Sequence, residues 1–132
     1  AALLSKHLSA ATSSIEQARP VDIKECLQLT KNRPQLAADM LKMLLETLPE
    51  QRKHTLLAIQ HRDFDQLGVI THNLKGACCY TGTPALKQRV LELEKALENK
   101  GTYEIQTTAL ISAIDDLLVW QEAHDLGVVF DI

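Results

Sequence analysis

The chain has 132 residues and a formal net charge of −3, and 45% of its residues are hydrophobic while only 4% are aromatic. This length is enough for one domain with an aliphatic core that needs no disulfide or bound metal. The slightly acidic balance gives no electrostatic footprint for nucleic acid, and no apolar run is long enough for direct insertion into a membrane.

The residue types indicate an all-α fold. Leu, Ala, Glu, Lys and Gln dominate, and β-branched or aromatic residues do not alternate with polar ones at a period of two. The three cysteines, Cys26, Cys78 and Cys79, lack zinc-site spacing and are odd in number, which suits a reducing cytoplasm. We interpret Cys78 as a small core residue and Cys79 as a small rim residue, because adjacent cysteines can bridge only with strain.

The front of the chain predicts a lead-in segment and a short helix. Residues 1–20 have helical composition with a weak apolar pattern, and we interpret them as a linker or lead-in helix that ends at Arg19-Pro20. The next helix is expected to begin after Asp22, which acts as its N-cap, and to run to about Lys31.

A long second helix is predicted from Pro34 to about Gln60, because proline suits the first helical position. Pro49 lies inside it, and we expect a kink there rather than a break. The predicted inward stripe consists of Leu36, Met40, Met43/Leu44, Thr47/Leu48, Leu56 and Ile59.

The stretch from Phe64 to Gly82 predicts a third helix, with Gly82 as its C-terminal cap. Its large apolar residues recur at intervals of three and four, which marks them as the buried face. They are Leu67, Ile70, Leu74 and Cys78.

Two further helices are predicted, one from Thr83-Pro84 to about residue 99 and one from Thr102 to about His124. The inward residues of the first are Leu86, Val90, Leu93 and Leu97. The broad apolar face of the second consists of Ala109, Leu110, Ile111, Ile114, Leu117 and Leu118, and Trp120 extends it near the end. Four long amphipathic helices with short connections predict an antiparallel four-helix bundle over residues 21–125, preceded by one or two accessory helices. Residues 126–132 form a short apolar tail. Three alternatives are open for it: it folds back on the bundle, pairs with another chain, or precedes further chain.

The outward face of the third helix is unusual. His72 lies two positions past Ile70, which is roughly 200° round a helix, so it points away from the core. Glycine inside a helix costs about 0.5–1 kcal/mol relative to alanine, so two glycines on one exposed face require a reason. We expect close approach of a partner to the face formed by Asp65, Gly68, Val69, His72, Lys75, Gly76 and Cys79.

This face suits the transfer of a phosphoryl group. A neutral imidazole at His72 is a nucleophile, and Lys75, one turn away, supplies a positive charge. Gly76 removes bulk at the same level of the helix. The chain has no nucleotide-binding motif, so we expect no autokinase activity. The other histidines, including His54 and His61, are interpreted as ordinary surface residues.

These residues resemble a known family signature. His72-Asn73-Leu74-Lys75-Gly76, with Gly82 six residues later, is similar to the HxxKGxxxxxG motif of histidine phosphotransfer (HPt) domains. The resemblance covers residues 21–123, and the cluster CYTGTPAL looks most like the C-terminal HPt domain of BarA/GacS-type hybrid sensor kinases. It implies that His72 is phosphorylated on its outer ring nitrogen and that Lys75 stabilises the phosphate. It also implies that Gly76 clears space and that Gly82 allows a tight exit from the helix.

The resemblance further implies the partners and the setting. Response-regulator receiver domains, in cis and in trans, would exchange phosphate with His72 and would bring the Mg²⁺, while this chain binds no cofactor or metal. We expect a monomer that serves as the cytoplasmic C-terminal domain of an inner-membrane hybrid sensor histidine kinase. Family members often have a polar group on the following helix near the histidine, but we assign Glu94 no role.

Two other interpretations stay open. In the first, the bundle is a non-catalytic docking or dimerisation module of a signalling protein, and His72 has no chemical role. Alternatively it is a small enzyme with its own active site, which is disfavoured because only Lys75 accompanies His72 as a second titratable group.

Overall fold

A computed structural model describes residues 19–100 and 103–132 of the chain, and within them all regular structure is helical. The lead-in helix predicted for residues 1–20 lies outside the described residues except for its last two positions. The helices are α1 (Ile23–Leu29), α2 (Pro34–Gln60), α3 (Phe64–Cys78), α4 (Pro84–Glu98), α5 (Glu104–Ala123) and α6 (Leu126–Val129).

Helices α2 to α5 form the bundle. α2 packs against α3 and α5, and α4 packs against the same two helices, so the four close a ring around one core. The short connections between successive helices make neighbours antiparallel. The largest fully buried side chains come from all four helices and are mostly leucines, which confirms the predicted all-α fold with an aliphatic core.

The short helix α1 begins as predicted but ends earlier. The Asp22 side chain accepts a hydrogen bond of 3.1 Å from the backbone N–H of Glu25, which confirms its role as N-cap. The helix ends at Leu29 rather than near Lys31, because Lys31 and Asn32 both adopt positive φ angles, 54° and 59°, that a right-handed helix cannot contain.

Helix α2 is continuous from Pro34 to Gln60 with Pro49 inside it, as predicted, but its buried face differs in part from the predicted one. Leu36 is 40% exposed and Met43 is 61% exposed, so the predicted inward stripe was wrong at these positions, and Thr47 and Leu56 are also exposed. The buried face shares Leu44 and Leu48 with the predicted stripe. It consists of Ala37, Ala38, Leu41, Leu44, Leu45, Leu48, Thr55 and Ala58.

Helices α4 and α5 bury most, but not all, of the predicted inward residues completely. Leu86, Val90 and Leu93 of α4 are fully buried, as are Leu110, Ile114 and Leu117 of α5. α5 begins at Glu104, and its predicted start at Thr102 lies outside the described residues. The other predicted residues of these apolar faces are half-buried, namely Leu97, Ala109, Ile111, Leu118 and Trp120.

The apolar tail folds back on the bundle. Asp125 caps α6 by accepting hydrogen bonds from the backbone N–H groups of Gly127 and Val128. Phe130 is only 4% exposed, and α6 contacts α2. Residues 126–132 therefore fold back on the bundle, which is one of the alternatives predicted for them. None of the described helices has the length and apolar character needed to cross a bilayer.

Candidate phosphotransfer site

His72 stands in the middle of α3, a helix held in the ring between α2 and α4. The predicted inward residues Leu67, Ile70, Leu74 and Cys78 are all buried, and Thr71 joins them. His72 is exposed, as its angular position predicts. Its backbone is thus fixed by the core while its ring faces outward.

The side-chain hydrogen bonds around His72 leave its ring free. Thr71 donates to the Gly68 carbonyl at 2.9 Å, and Cys79 donates to the Lys75 carbonyl at 3.3 Å. Neither these bonds nor any other recorded within residues 19–100 and 103–132 involves the His72 imidazole. A partner can therefore reach the exposed ring without displacing a hydrogen bond of the described residues.

Gly68 and Gly76 lie four residues before and four residues after His72, so they flank it along one ridge of the helix. A Cβ atom added to either glycine would meet no atom of residues 19–100 and 103–132 within 4 Å, and neither has a positive φ angle. The packing of the described residues therefore gives no reason for glycine at these two positions. Since each glycine destabilises the helix, the open space on either side of His72 calls for a reason beyond the described part of the chain.

Lys75 is not a free cation. Its Nζ donates a hydrogen bond of 3.0 Å to Oε1 of Glu94, which comes from the adjacent helix α4. The Lys75 side chain is 46% exposed and that of Glu94 is 27% exposed. The resemblance to HPt domains placed Glu94 in the region of the histidine without a role, and the contact with Lys75, 19 positions away in sequence, arises only from helix packing.

The remaining residues predicted for the docking face lie on the surface of the same helix. Asp65, Val69, Gly76 and Cys79 are exposed, and Gly68 is half-buried. Phe64, at the start of the helix, is also exposed and packs edge-on against Tyr103, with ring centroids 5.0 Å apart. The face is thus continuous along α3, with His72 near its centre.

Gly82 does not cap α3, so that part of the prediction was wrong. The helix ends at Cys78, with Cys79 at the C-cap in a right-handed conformation, and Gly82 has no positive φ angle. Gly82 is instead pressed against the start of α1. An added Cβ would collide with the Asp22 carbonyl oxygen and lie 2.7 Å from the Cys26 backbone nitrogen. The Gly82 carbonyl also accepts a hydrogen bond of 2.8 Å from the Asp22 N–H.

The two buried cysteines are packing residues, as predicted for Cys78. Burial raises the pKa of Cys78 to about 11, although a hydrogen bond from the Thr83 hydroxyl opposes this rise. Burial likewise raises the pKa of Cys26. Cys79 is exposed, which fits the predicted rim position.

The described residues at the site supply a nucleophile at His72 and a cation at Lys75, which is paired with Glu94. Among the described residues, no group of three or more His, Cys, Asp or Glu side chains is placed to hold a metal ion. The site is also an exposed ridge, whereas an enzyme usually encloses its substrate in a cleft.

Comparison with known proteins agrees with this geometry. The Hpt domain family matches residues 39–125. The sensor protein GacS of Pseudomonas syringae pv. syringae is 31% identical over 104 residues, which cover 79% of this chain and 11% of that protein. The signal transduction histidine-protein kinase BarA of Escherichia coli (strain K12) is 29% identical over 97 residues, which cover 74% of this chain and 11% of that protein.

A solved structure matches as well. The crystal structure of the HPT domain from the Hpt sensor hybrid histidine kinase from Shewanella superimposes with a TM-score of 0.73 at 27% identity. The match covers 78% of this chain and 91% of that one. The similarity therefore extends over nearly the whole Shewanella domain, whereas the chain spans only about a ninth of the length of GacS and BarA.

Proposed function

The chain belongs to the Hpt domain family, and from that premise we propose that it carries a phosphoryl group reversibly between His72 and the aspartate of receiver domains. Hpt domains perform histidine phosphotransfer in phosphorelays, in which they exchange phosphoryl groups with receivers. The observation that carries the assignment to His72 is its exposed position between two glycines that the fold does not require, with a cation one turn away.

The transfer step needs only one bond made and one broken. The outer ring nitrogen of neutral His72 attacks the phosphorus of the phospho-aspartate in line. A P–N bond forms as the P–O bond breaks, and the aspartate leaves as a carboxylate with the electron pair. The proton on the inner nitrogen stays on the ring or passes to water. Positioning and electrostatic stabilisation supply most of the rate enhancement in such transfers.

Other residues on α3 and at its C-cap support the transfer. Lys75 offsets the negative charge that arrives on His72, because its ammonium lies on the same face one turn further along. Gly68 and Gly76 let the partner's backbone approach the helix on either side of the ring. Asp65, Val69 and Cys79 extend the contact surface. The receiver brings its own Mg²⁺ and acid groups.

The setting of the domain is also part of the proposal. Its similarity to parts of BarA and GacS supports a C-terminal module of a hybrid sensor histidine kinase, acting on the cytoplasmic side with receivers in cis and in trans. The domain has no autokinase activity of its own in this scheme. It receives phosphate only from another protein or another domain.

Replacement of His72 tests the proposal most directly. The unmodified chain and His72→Gln are each incubated with a panel of phosphorylated receiver domains, and acid-labile phosphate on the chain is measured at short times. We expect the unmodified chain to be labelled fastest by its cognate receiver. His72→Gln should take no phosphate and should keep its helical circular dichroism, because the side chain is exposed.

His61→Gln is the matched control, since His61 is another exposed histidine and lies at the end of α2. It should be labelled like the unmodified chain. Labelling of His72→Gln at the normal rate would contradict the proposal. Binding of receivers without any labelling of the unmodified chain would instead favour a docking module.

A further inference from the structure

The ion pair between Lys75 and Glu94 joins two different helices at the site. Its 3.0 Å separation is that of a direct, charge-assisted hydrogen bond. Glu94 follows the fully buried Leu93 on α4, so the core fixes the backbone that carries the carboxylate. Glu94 is also the less exposed partner of the pair, at 27% against 46%. The carboxylate is therefore a built part of the surface next to His72.

This pair changes the electrostatics that a phosphoryl group meets. The proposed function needs the charge of Lys75, but in the structure a carboxylate already forms an ion pair with that ammonium at 3.0 Å. A phosphorylated side chain brings between one and two negative charges near neutral pH. Lys75 has three N–H donors, so it either leaves Glu94 for the phosphate or bridges the two. In both cases the carboxylate opposes stabilisation of the phosphohistidine.

We propose that Glu94 withholds Lys75 from the phosphoryl group and so sets the share of phosphate that His72 holds at equilibrium. This inference rests on the proposed function. Glu94 is a positioning residue here, because it makes and breaks no bond to phosphorus. Transfer still forms the P–N bond of His72 as it breaks the P–O bond of the receiver aspartate. Glu94 weakens the phosphohistidine relative to the phospho-aspartate, which favours onward transfer.

The test measures a transfer equilibrium. The chain is mixed with the receiver domain that labels it fastest, phosphate is introduced on the receiver, and the ratio of phospho-His72 to phospho-receiver is measured once it is constant. Glu94→Gln keeps an oxygen that can accept from Lys75 but removes the charge. We expect this ratio to rise about two- to fivefold in Glu94→Gln, which is the range of a partly exposed ion pair.

Two further variants separate lysine competition from other effects. Lys75→Ala should lower the ratio, because the phosphohistidine loses its cation. In the double variant Lys75→Ala/Glu94→Gln the ratio should stay at the Lys75→Ala value. A full Glu94→Gln effect without Lys75 would overturn the proposal, since it would mean direct repulsion between the carboxylate and the phosphate.

Glu92→Gln is the matched control on the same helix. Glu92 pairs with Arg89 at 2.9 Å within α4 and not with Lys75, so its replacement should leave the ratio unchanged. An equal rise in Glu92→Gln would also overturn the proposal, because it would show a general effect of charge on α4. Thermal unfolding of each variant checks that the bundle is intact.

The outcomes distinguish this inference from the proposed function. If no receiver labels the unmodified chain, the proposed function is wrong and this inference falls with it. If the unmodified chain is labelled but Glu94→Gln leaves the ratio unchanged or lowers it, only the inference is wrong. A lower ratio would mean that Glu94 assists phosphorylation by holding Lys75 in place.

Discussion

At the scale of single residues, Gly76 and Gly82 have opposite surroundings although both belong to the signature motif. Gly76 is exposed, and a Cβ added there would meet nothing within 4 Å. Gly82 is buried, and a Cβ added there would collide with the backbone of α1. The packing of the described residues therefore does not require glycine at position 76, whereas the close approach of α1 requires it at position 82.

Alanine at these two positions should change stability in opposite directions. Gly76→Ala should raise the free energy of unfolding by about 0.5–1 kcal/mol, because alanine is the better helix former. Gly82→Ala should lower it by about 1–3 kcal/mol, as is usual for overpacking. Urea unfolding followed by circular dichroism measures both changes, and a destabilised Gly76→Ala variant would contradict this account.

Gly76→Ala should also impair function despite its greater stability. The added methyl group lies one turn from His72, where the proposed partner approaches. We expect labelling by the cognate receiver to slow at least about tenfold, because small displacements disturb the in-line geometry of transfer. Normal rates in this variant would mean that the open space beside His72 serves no partner.

At the scale of the element, α3 is fixed at both ends by polar contacts. The Asp63 side chain caps its N-terminus by accepting a 3.0 Å hydrogen bond from the Gln66 N–H. The loop after its C-terminus is tied to α1 through Gly82. Between these ends the buried face of the helix packs into the core. The helix that bears His72 is therefore a rigid platform.

Removal of the N-terminal cap should weaken this platform without changing its chemistry. Asp63→Ala should lower the free energy of unfolding by about 1 kcal/mol, the usual cost of losing an N-cap side chain. Asp65→Ala is the control, since Asp65 lies in the first turn but makes no cap bond, and it should cost less. Labelling at His72 should stay normal in Asp63→Ala, because the cap lies more than two turns away.

At the scale of the whole molecule, the core excludes water from two of the three thiols. Cys26 and Cys78 are buried, and Cys79 is exposed. On the surface of the bundle, Arg52 of α2 forms a bidentate ion pair with Asp115 of α5, with hydrogen bonds of 2.6 and 3.2 Å. The hydrogen bond to Asp115 raises the pKa of Arg52.

This burial predicts the reactivity of the thiols and a weakening of the fold in alkali. At pH 8 a thiol reagent should modify Cys79 quickly and the other two cysteines only after unfolding. The pKa of Cys78 is about 11 in the folded chain against an ordinary value of 9.0, so above pH 9 only the unfolded state loses this proton readily. Stability should therefore fall as the pH rises from about 9 to 11, by up to about 1.4 kcal/mol per pH unit.

Urea unfolding at pH 8, 9 and 10 measures the fall in stability with rising pH. Titration with a thiol reagent, with and without denaturant, measures the reactivity of the three cysteines. Cys78→Ala should unfold more easily at pH 8 but should lose less stability between pH 9 and 10 than the unmodified chain. Fast modification of all three thiols in the folded chain would contradict the burial on which both expectations rest.

The sequence by itself determined the features that depend on local periodicity and end chemistry. The spacing of Leu67, Ile70 and Leu74 was enough to turn His72 outward, and Asp22 and Pro34 marked true helix starts. The resemblance to HPt domains rested on five consecutive residues and one glycine. These signals are readable because the residues involved lie within a turn or two of each other along the chain.

Only the tertiary structure decided the features that depend on which surfaces meet. α2 has more apolar residues than its buried face includes, and packing against α3 and α5 buried Leu41 and Leu45 together with the predicted Leu44 and Leu48, while Leu36 and Met43 stayed exposed. Gly82 was predicted as a helix cap, but glycine is needed there because the backbone of α1 leaves no room for a Cβ atom. The Lys75–Glu94 pair joins two helices, and such contacts follow from the crossing of helix surfaces, which no local pattern encodes.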